Sequence, residues 1–149
     1  MNDKQISNIQ IEKALKIALE CHTCQVDKGG DAYIIHPLTV MQIVDGGADY
    51  KVVAILHDVI EDSDIYTIDD LEHILRLSKD QKQALWLLTK LEAEDYQDYI
   101  DRIACSGNDI AVKVKIADLI HNSDCTRPGF SKERLKRYEK AVQRLLRVK

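Results

Sequence analysis

Two stretches of this 149-residue chain put ionisable groups where a plain core helix would have none. Val52-Val53-Ala54-Ile55-Leu56-His57-Asp58-Val59-Ile60 is apolar nearly all round except at His57 and Asp58. Ile110-Ala111-Val112-Lys113-Val114-Lys115-Ile116-Ala117-Asp118-Leu119-Ile120 is again apolar on most faces. Such helices belong in the interior, and an ionised aspartate there is costly unless it is paired or bound to a cation. A divalent cation shared between the two helices would offset both Asp58 and Asp118.

The residues after His57 extend the pattern. His57/Glu61 and Asp58/Asp62 lie four apart on one helical face, and with Asp64 the chain sets four carboxylates within seven residues. Like charges at that spacing repel, by about 0.2–0.5 kcal/mol per pair. With a cation present, His57 and Asp58 serve as ligands and Glu61 and Asp62 stand a turn further on. There they can take a proton from water acidified by the cation, as metal-assisted hydrolysis requires. Each piece also has a plainer reading. A His-Asp pair is common, Glu61-Asp62 suits a solvated helix end, and His36 before Pro37 suits a helix cap. Asp118 could pair with Lys115 or an arginine, and His22, His73 and His121 read as structural. The conjunction favours the metal.

The elements that must position these groups read as helices. The first runs from Ile9 to Cys21 after the capping candidates Ser7 and Asn8, and Asp27-Lys28-Gly29-Gly30-Asp31 breaks the chain. Pro37 suits a first helical turn and Gly46-Gly47 its end. A third helix is expected from about Asp49 to Glu61, a short one from Thr67, and one around Trp86 opened by a Ser78/Gln81 capping box. Helices from about Asp95 to Cys105 and from Asp109 to about Asn122 follow. After Arg127-Pro128-Gly129, Ser131 caps a last helix striped by Leu135, Tyr138, Val142, Leu145 and Leu146. No alternating strand pattern and no linker interrupts the series. The expectation is one all-α domain over residues 1–149, with about seven or eight helices.

Composition narrows the setting. With 45% hydrophobic and 31% charged residues the chain has the make-up of a globular domain. No apolar run approaches the roughly 18 residues of a membrane helix, and the N-terminus lacks a signal-peptide core, so a cytoplasmic protein without a membrane partner is expected. A net charge of −4 argues against nucleic acid as partner. From Ile110 onward, however, 11 basic residues face four acidic ones. That basic tail could meet an anionic substrate or simply be a solvated helix face. Cys21-x-x-Cys24, expected inside a helix and without a second pair, reads as incidental thiols.

Three segments resemble a known family. Gln25-Val26-Asp27-Lys28-Gly29-Gly30-Asp31-Ala32-Tyr33-Ile34-Ile35-His36-Pro37-Leu38 is similar to the Q-x-x-K-x-G-x-P-Y-I-x-H-P-L signature of the RelA/SpoT-type HD hydrolases. Ala54 to Asp62 is similar to their A-x-L-H-D-V-I/V-E-D segment, and Val114 to Asn122 to their V-K-[IL]-A-D-x-x-x-N segment. The resemblance implies an HD-type helical bundle whose metal is held by His36, His57, Asp58 and Asp118, with manganese the usual ion. It implies that Glu61 and Asp62 activate and orient water, that Asn122 contacts substrate and that Lys28 lies against the nucleotide base. The substrate it implies is (p)ppGpp, cleaved to GDP or GTP and pyrophosphate, by a chain too short to carry the family's synthetase domain. Arg127 and the basic face of the last helix are candidates for neutralising the leaving group. Two positions depart from the pattern: Asp27 stands where an arginine is typical, and Ala32 where a proline is. A guanidinium stacks on a purine and a carboxylate does not. Another nucleotide or phosphate ester therefore stays open as substrate, and so does a nucleotide-binding sensor without catalysis.

Overall fold

The computed structural model describes residues 1–148, which form nine helical segments and no strand. They are α1 (Asp3–Cys21), α2 (Ile35–Ile43), α3 (Ala48–Leu56), α4 (Val59–Asp62), α5 (Ile68–Leu75), α6 (Lys79–Leu88), α7 (Tyr96–Ala104), α8 (Asp109–Asn122) and α9 (Lys132–Leu146). The all-α expectation holds. None of these helices is long and apolar enough to cross a membrane.

The expected third helix is in fact two. Asp58, at φ −104° and ψ −1°, separates α3 from the one-turn α4. The reason is local: His57 Nδ1 donates to the Ala54 carbonyl at 2.6 Å. An uninterrupted helix would offer that carbonyl to the Asp58 N–H. The chain turns there, and the two functional candidates sit at the corner. The start of α1 also differs from expectation. Asn2 caps it through a reciprocal box with Gln5, so Ser7 and Asn8 lie inside the helix. Cys24 falls beyond its end, in a turn at φ 65°, so the Cys-x-x-Cys is not helical, and all four cysteines are free. Capping at Thr67, Ser78 and Ser131 is as the sequence leads one to expect. In α9, Leu145 is buried but Leu146 is 66% exposed and leaves the stripe.

Two helices form the centre. α3 packs on α1, α2, α6 and α8, while α8 packs on α2, α3, α6, α7 and α9. Val52 to Leu56 are all fully shielded, which is why this stretch tolerates no polar face of its own. The seat of α8 is fixed by Asn108, whose side chain accepts from the Ala111 N–H and donates to the Asp80 carbonyl and to Gln83 Oε1. Because α2 lies against both central helices, its first turn brings His36 to the junction of α3 and α8.

Candidate metal centre

His36, His57 and Asp58 present one donor atom each, all within 4.8 Å of one another. His57 Nε2 is 3.1 Å from Asp58 Oδ2, and His36 Nε2 is 3.7 Å from the same oxygen. Asp118 joins from α8, its Oδ1 lying 2.9 Å from His36 Nε2 and 3.5 Å from His57 Nε2. The structure thus brings together the four residues singled out in the sequence, from three separate elements.

Donor chemistry tests whether a cation suits this place. The His57 Nδ1 hydrogen is committed to Ala54, which leaves Nε2 as a buried nitrogen with no hydrogen-bond partner among the described residues. An unsatisfied buried atom of this kind calls for an explanation, and a lone pair aimed among carboxylates has the form of a ligand. Electrostatics agree. Burial works against a charge on His57, yet Asp58 and Asp118 outweigh it and raise its pKa well above the imidazole range. Burial would likewise raise Asp58, but His57 holds it at about 2. The pocket favours positive charge, and imidazole with carboxylate donors suits a divalent metal.

An outer ring of side chains orients these groups. The Tyr33 hydroxyl donates to Asp58 Oδ2. Lys115 Nζ donates to Asp118 Oδ2 at 2.8 Å, and Asn122 Nδ2 to Asp118 Oδ1 at 3.0 Å. His36 Nδ1 lies 2.7 Å from His121 Nδ1, and Arg127 Nη1 approaches His121 Nδ1 at 2.6 Å. Burial, then the Arg127 guanidinium, depress His121 to about 4, so it accepts at neutral pH.

Glu61 and Asp62 diverge from one another. Glu61 Oε1 accepts from the Lys90 backbone N–H at 2.6 Å, while Asp62 Oδ2 accepts from Gln25 Nε2 at 3.0 Å. Both residues are exposed as a whole. The surrounding helices nevertheless shut out enough water to raise both pKa values, with Asp58 adding to the effect.

A cleft of about 280 Å³ borders the centre. Tyr33 and Asn122, which hold Asp58 and Asp118, also line it, together with Lys28, Arg127, Arg134 and Tyr138. Lys28 crosses Gly129: a Cβ there would stand 2.5 Å from Lys28 Cδ. Arg127 lines the cleft while its guanidinium is turned to the imidazole pair. Asp27 is taken up by the turn itself, its Oδ1 accepting from the N–H groups of Gly29 and Asp31. Sequence reasoning missed Gln25, Tyr33, His121 and Tyr138 as parts of the site; it named Lys115 only as a plain partner of Asp118 and covered Arg134 only within the basic face of the last helix. For Lys115 and His121 a signal existed, since each is three residues from Asp118 and shares its helical face. His73 is exposed on α5.

No family model matches the chain. It is 30% identical over 122 residues to a guanosine-3′,5′-bis(diphosphate) 3′-pyrophosphohydrolase of Aquifex aeolicus, covering 76% of this chain and 17% of that protein. To a GTP pyrophosphokinase of Streptomyces antibioticus it is 35% identical over 121 residues, covering 76% and 14%. The chain therefore spans only a small part of these longer relatives. Among solved structures, a metazoan ortholog of SpoT that hydrolyzes ppGpp superposes with a TM-score of 0.73 at 23% identity, over 93% of this chain and 86% of the other. In sequence the chain thus resembles a segment of guanosine-3′,5′-bis(diphosphate) pyrophosphohydrolases and GTP pyrophosphokinases, and its all-helical fold is that of the SpoT ortholog.

Proposed function

We propose that the chain is a cytoplasmic, manganese-dependent phosphohydrolase that cleaves the 3′-pyrophosphate of (p)ppGpp, using water to give GDP or GTP and pyrophosphate. One observation carries this reading: two imidazoles and an aspartate converge at a junction where a buried nitrogen has no other partner. Support also comes from the Aquifex relative's name and from the ppGpp hydrolysis ascribed to the SpoT ortholog.

His36, His57, Asp58 and Asp118 would hold the cation, which supplies Lewis acidity toward a phosphoryl oxygen and toward water. Glu61 and Asp62, with pKa values raised by burial above the ordinary carboxylate range, take the proton as the water attacks. Lys28 and Arg134 line the cleft and bring positive charge for the phosphates, Arg127 lines it with its guanidinium turned to the imidazoles, and Asn122 offers a donor between cleft and centre. A small-molecule nucleotide is the partner this reading requires. Residues 1–149 act in it as one hydrolase domain.

The Asp27 carboxylate supports a second reading within the same chemistry. Tied into the turn, it offers no cation to a base, so a different nucleotide or phosphate ester is the alternative substrate. Incubation with ppGpp and Mn²⁺ decides: pyrophosphate should appear with wild type and be abolished by Asp58→Ala and by Glu61→Ala. Unchanged turnover in Glu61→Ala refutes its role. An inert ppGpp beside a reactive phosphate monoester selects the second reading.

A further inference from the structure

Asp62 is held by side chains, whereas its neighbour Glu61 is held by a backbone amide. The holding residue, Gln25, has its own orientation dictated from behind. A carboxylate only accepts, so the Gln25 amide must turn its NH₂ toward Asp62. Its Oε1 then faces His22 Nδ1, 2.7 Å away, and that nitrogen must carry a hydrogen. The result is a directed line from His22 Nδ1–H to Gln25 Oε1, and from Gln25 Nε2–H to Asp62 Oδ2.

His22 itself is fixed from several sides. Its side chain is fully shielded, and the Tyr33 ring packs on it with centroids 5.1 Å apart. The Gln25 N–H donates to the His22 carbonyl, and the Tyr33 N–H to the Gln25 carbonyl, both at 3.0 Å. Yet His22 Nε2 is buried with no partner among the described residues. An apolar ring would fill the same space without that unsatisfied atom. A histidine kept there at a cost to stability indicates that its other nitrogen is needed.

We infer that His22 and Gln25 are positioning residues, which together fix the direction in which Asp62 presents its carboxylate to the reacting water. The inference rests on the reading of Asp62 as a group that handles that proton. Gln25 also lines the cleft, so a direct contact with substrate is the competing role. The two roles separate in kinetics, because a substrate contact acts on KM and a positioning residue on kcat.

The test combines three variants with a readout that needs no substrate. Gln25→Ala and His22→Phe should each lower kcat for ppGpp about 10- to 100-fold with KM unchanged. The double variant should lose no more than either single one. His22→Phe should unfold at the same denaturant concentration as wild type or a higher one, which separates a lost orientation from a lost fold. In wild type without metal, long-range ¹H–¹⁵N correlation should show His22 protonated at Nδ1, and the Asp62 carboxyl ¹³C shift should move in His22→Phe. A rise in KM alone, full kcat in His22→Phe, or an unprotonated Nδ1 overturns the inference. If wild type leaves ppGpp intact, the hydrolase reading falls, and the Asp62 shift still decides the line.

Discussion

Lys115 Nζ lies 2.8 Å from Asp118 Oδ2, three residues apart on α8, with both side chains almost wholly shielded from solvent. Its ammonium also stands 5.0 Å from the centre of the Tyr99 ring. Burial disfavours the charge on each partner, and their mutual attraction outweighs it, raising Lys115 and lowering Asp118. The pair therefore steadies one oxygen of Asp118 and leaves the other, Oδ1, facing the imidazoles.

Breaking this pair should be expensive. Lys115→Met in metal-free protein should cost about 3–5 kcal/mol in urea unfolding, because it strands a buried carboxylate. Saturating Mn²⁺ should restore part of the loss by supplying the missing positive charge. A cost below about 1 kcal/mol would place the pair among solvent-screened surface ion pairs.

Metal binding itself should register as stability. At a hundredfold excess over its Kd, a cation bound only by the folded state adds about 2.7 kcal/mol. Thermal unfolding with Mn²⁺ against EDTA should show a clear rise in Tm for wild type and none for Asp58→Asn. An equal rise in both proteins would mean the cation binds elsewhere.

In metal-free protein the centre should also govern stability against pH. Asp58 sits at about 2 when folded against an ordinary 3.8. Its contribution, on the order of 2 kcal/mol, is present above pH ~4 and lost as pH falls toward 2. His57 is raised, so its contribution is full below its usual value near ~6.5 and fades as pH climbs through the folded one. Denaturant midpoints across pH should fall on both sides, and Asp58→Asn should flatten the acid limb.

Turnover should follow the raised carboxylates. Glu61 and Asp62 must be deprotonated to accept a proton, so kcat/KM should climb with pH above the ordinary carboxylate range. Glu61→Gln should reduce kcat by about 10²–10⁴. An acid limb unchanged in both Glu61→Gln and Asp62→Asn would assign the titration to other groups.

The cleft depends on two loops meeting closely. A Cβ on Gly29 would stand 2.5 Å from Pro128 Cγ, a ring with little room to yield. Gly29→Ala should therefore push the Asp27–Asp31 turn away from Pro128 and raise KM for ppGpp more than it lowers kcat. Steady-state kinetics read the outcome, and an unaltered KM would show that the contact does not shape the cleft.

Much of this protein is written in local chemistry. The apolar runs around Asp58 and Asp118 announce two interior helices, since only burial on most faces accounts for so few polar positions. Capping residues such as Ser78 and Ser131 act on amides within their own first turn, so their helix starts are legible. The acidic groups of the centre were legible for the same reason: a charge in a greasy helix is an anomaly at the level of one segment.

What the sequence could not decide depends on side-chain hydrogen bonds, one within a single turn and the others between groups distant along the chain. Periodicity sees one continuous helix through His57, whereas its ring takes the Ala54 carbonyl and turns the chain at Asp58. The opposite fates of Glu61 and Asp62 follow from Lys90 and Gln25, 29 and 37 residues away. Hydrogen bonds across such separations leave no periodic trace, because they arise only when α1 packs against α4 and α6 against α3, bringing the partners within 3 Å or so. Residue types and spacing determined which groups could meet an ion and a water. Tertiary packing decided the direction in which each of them faces.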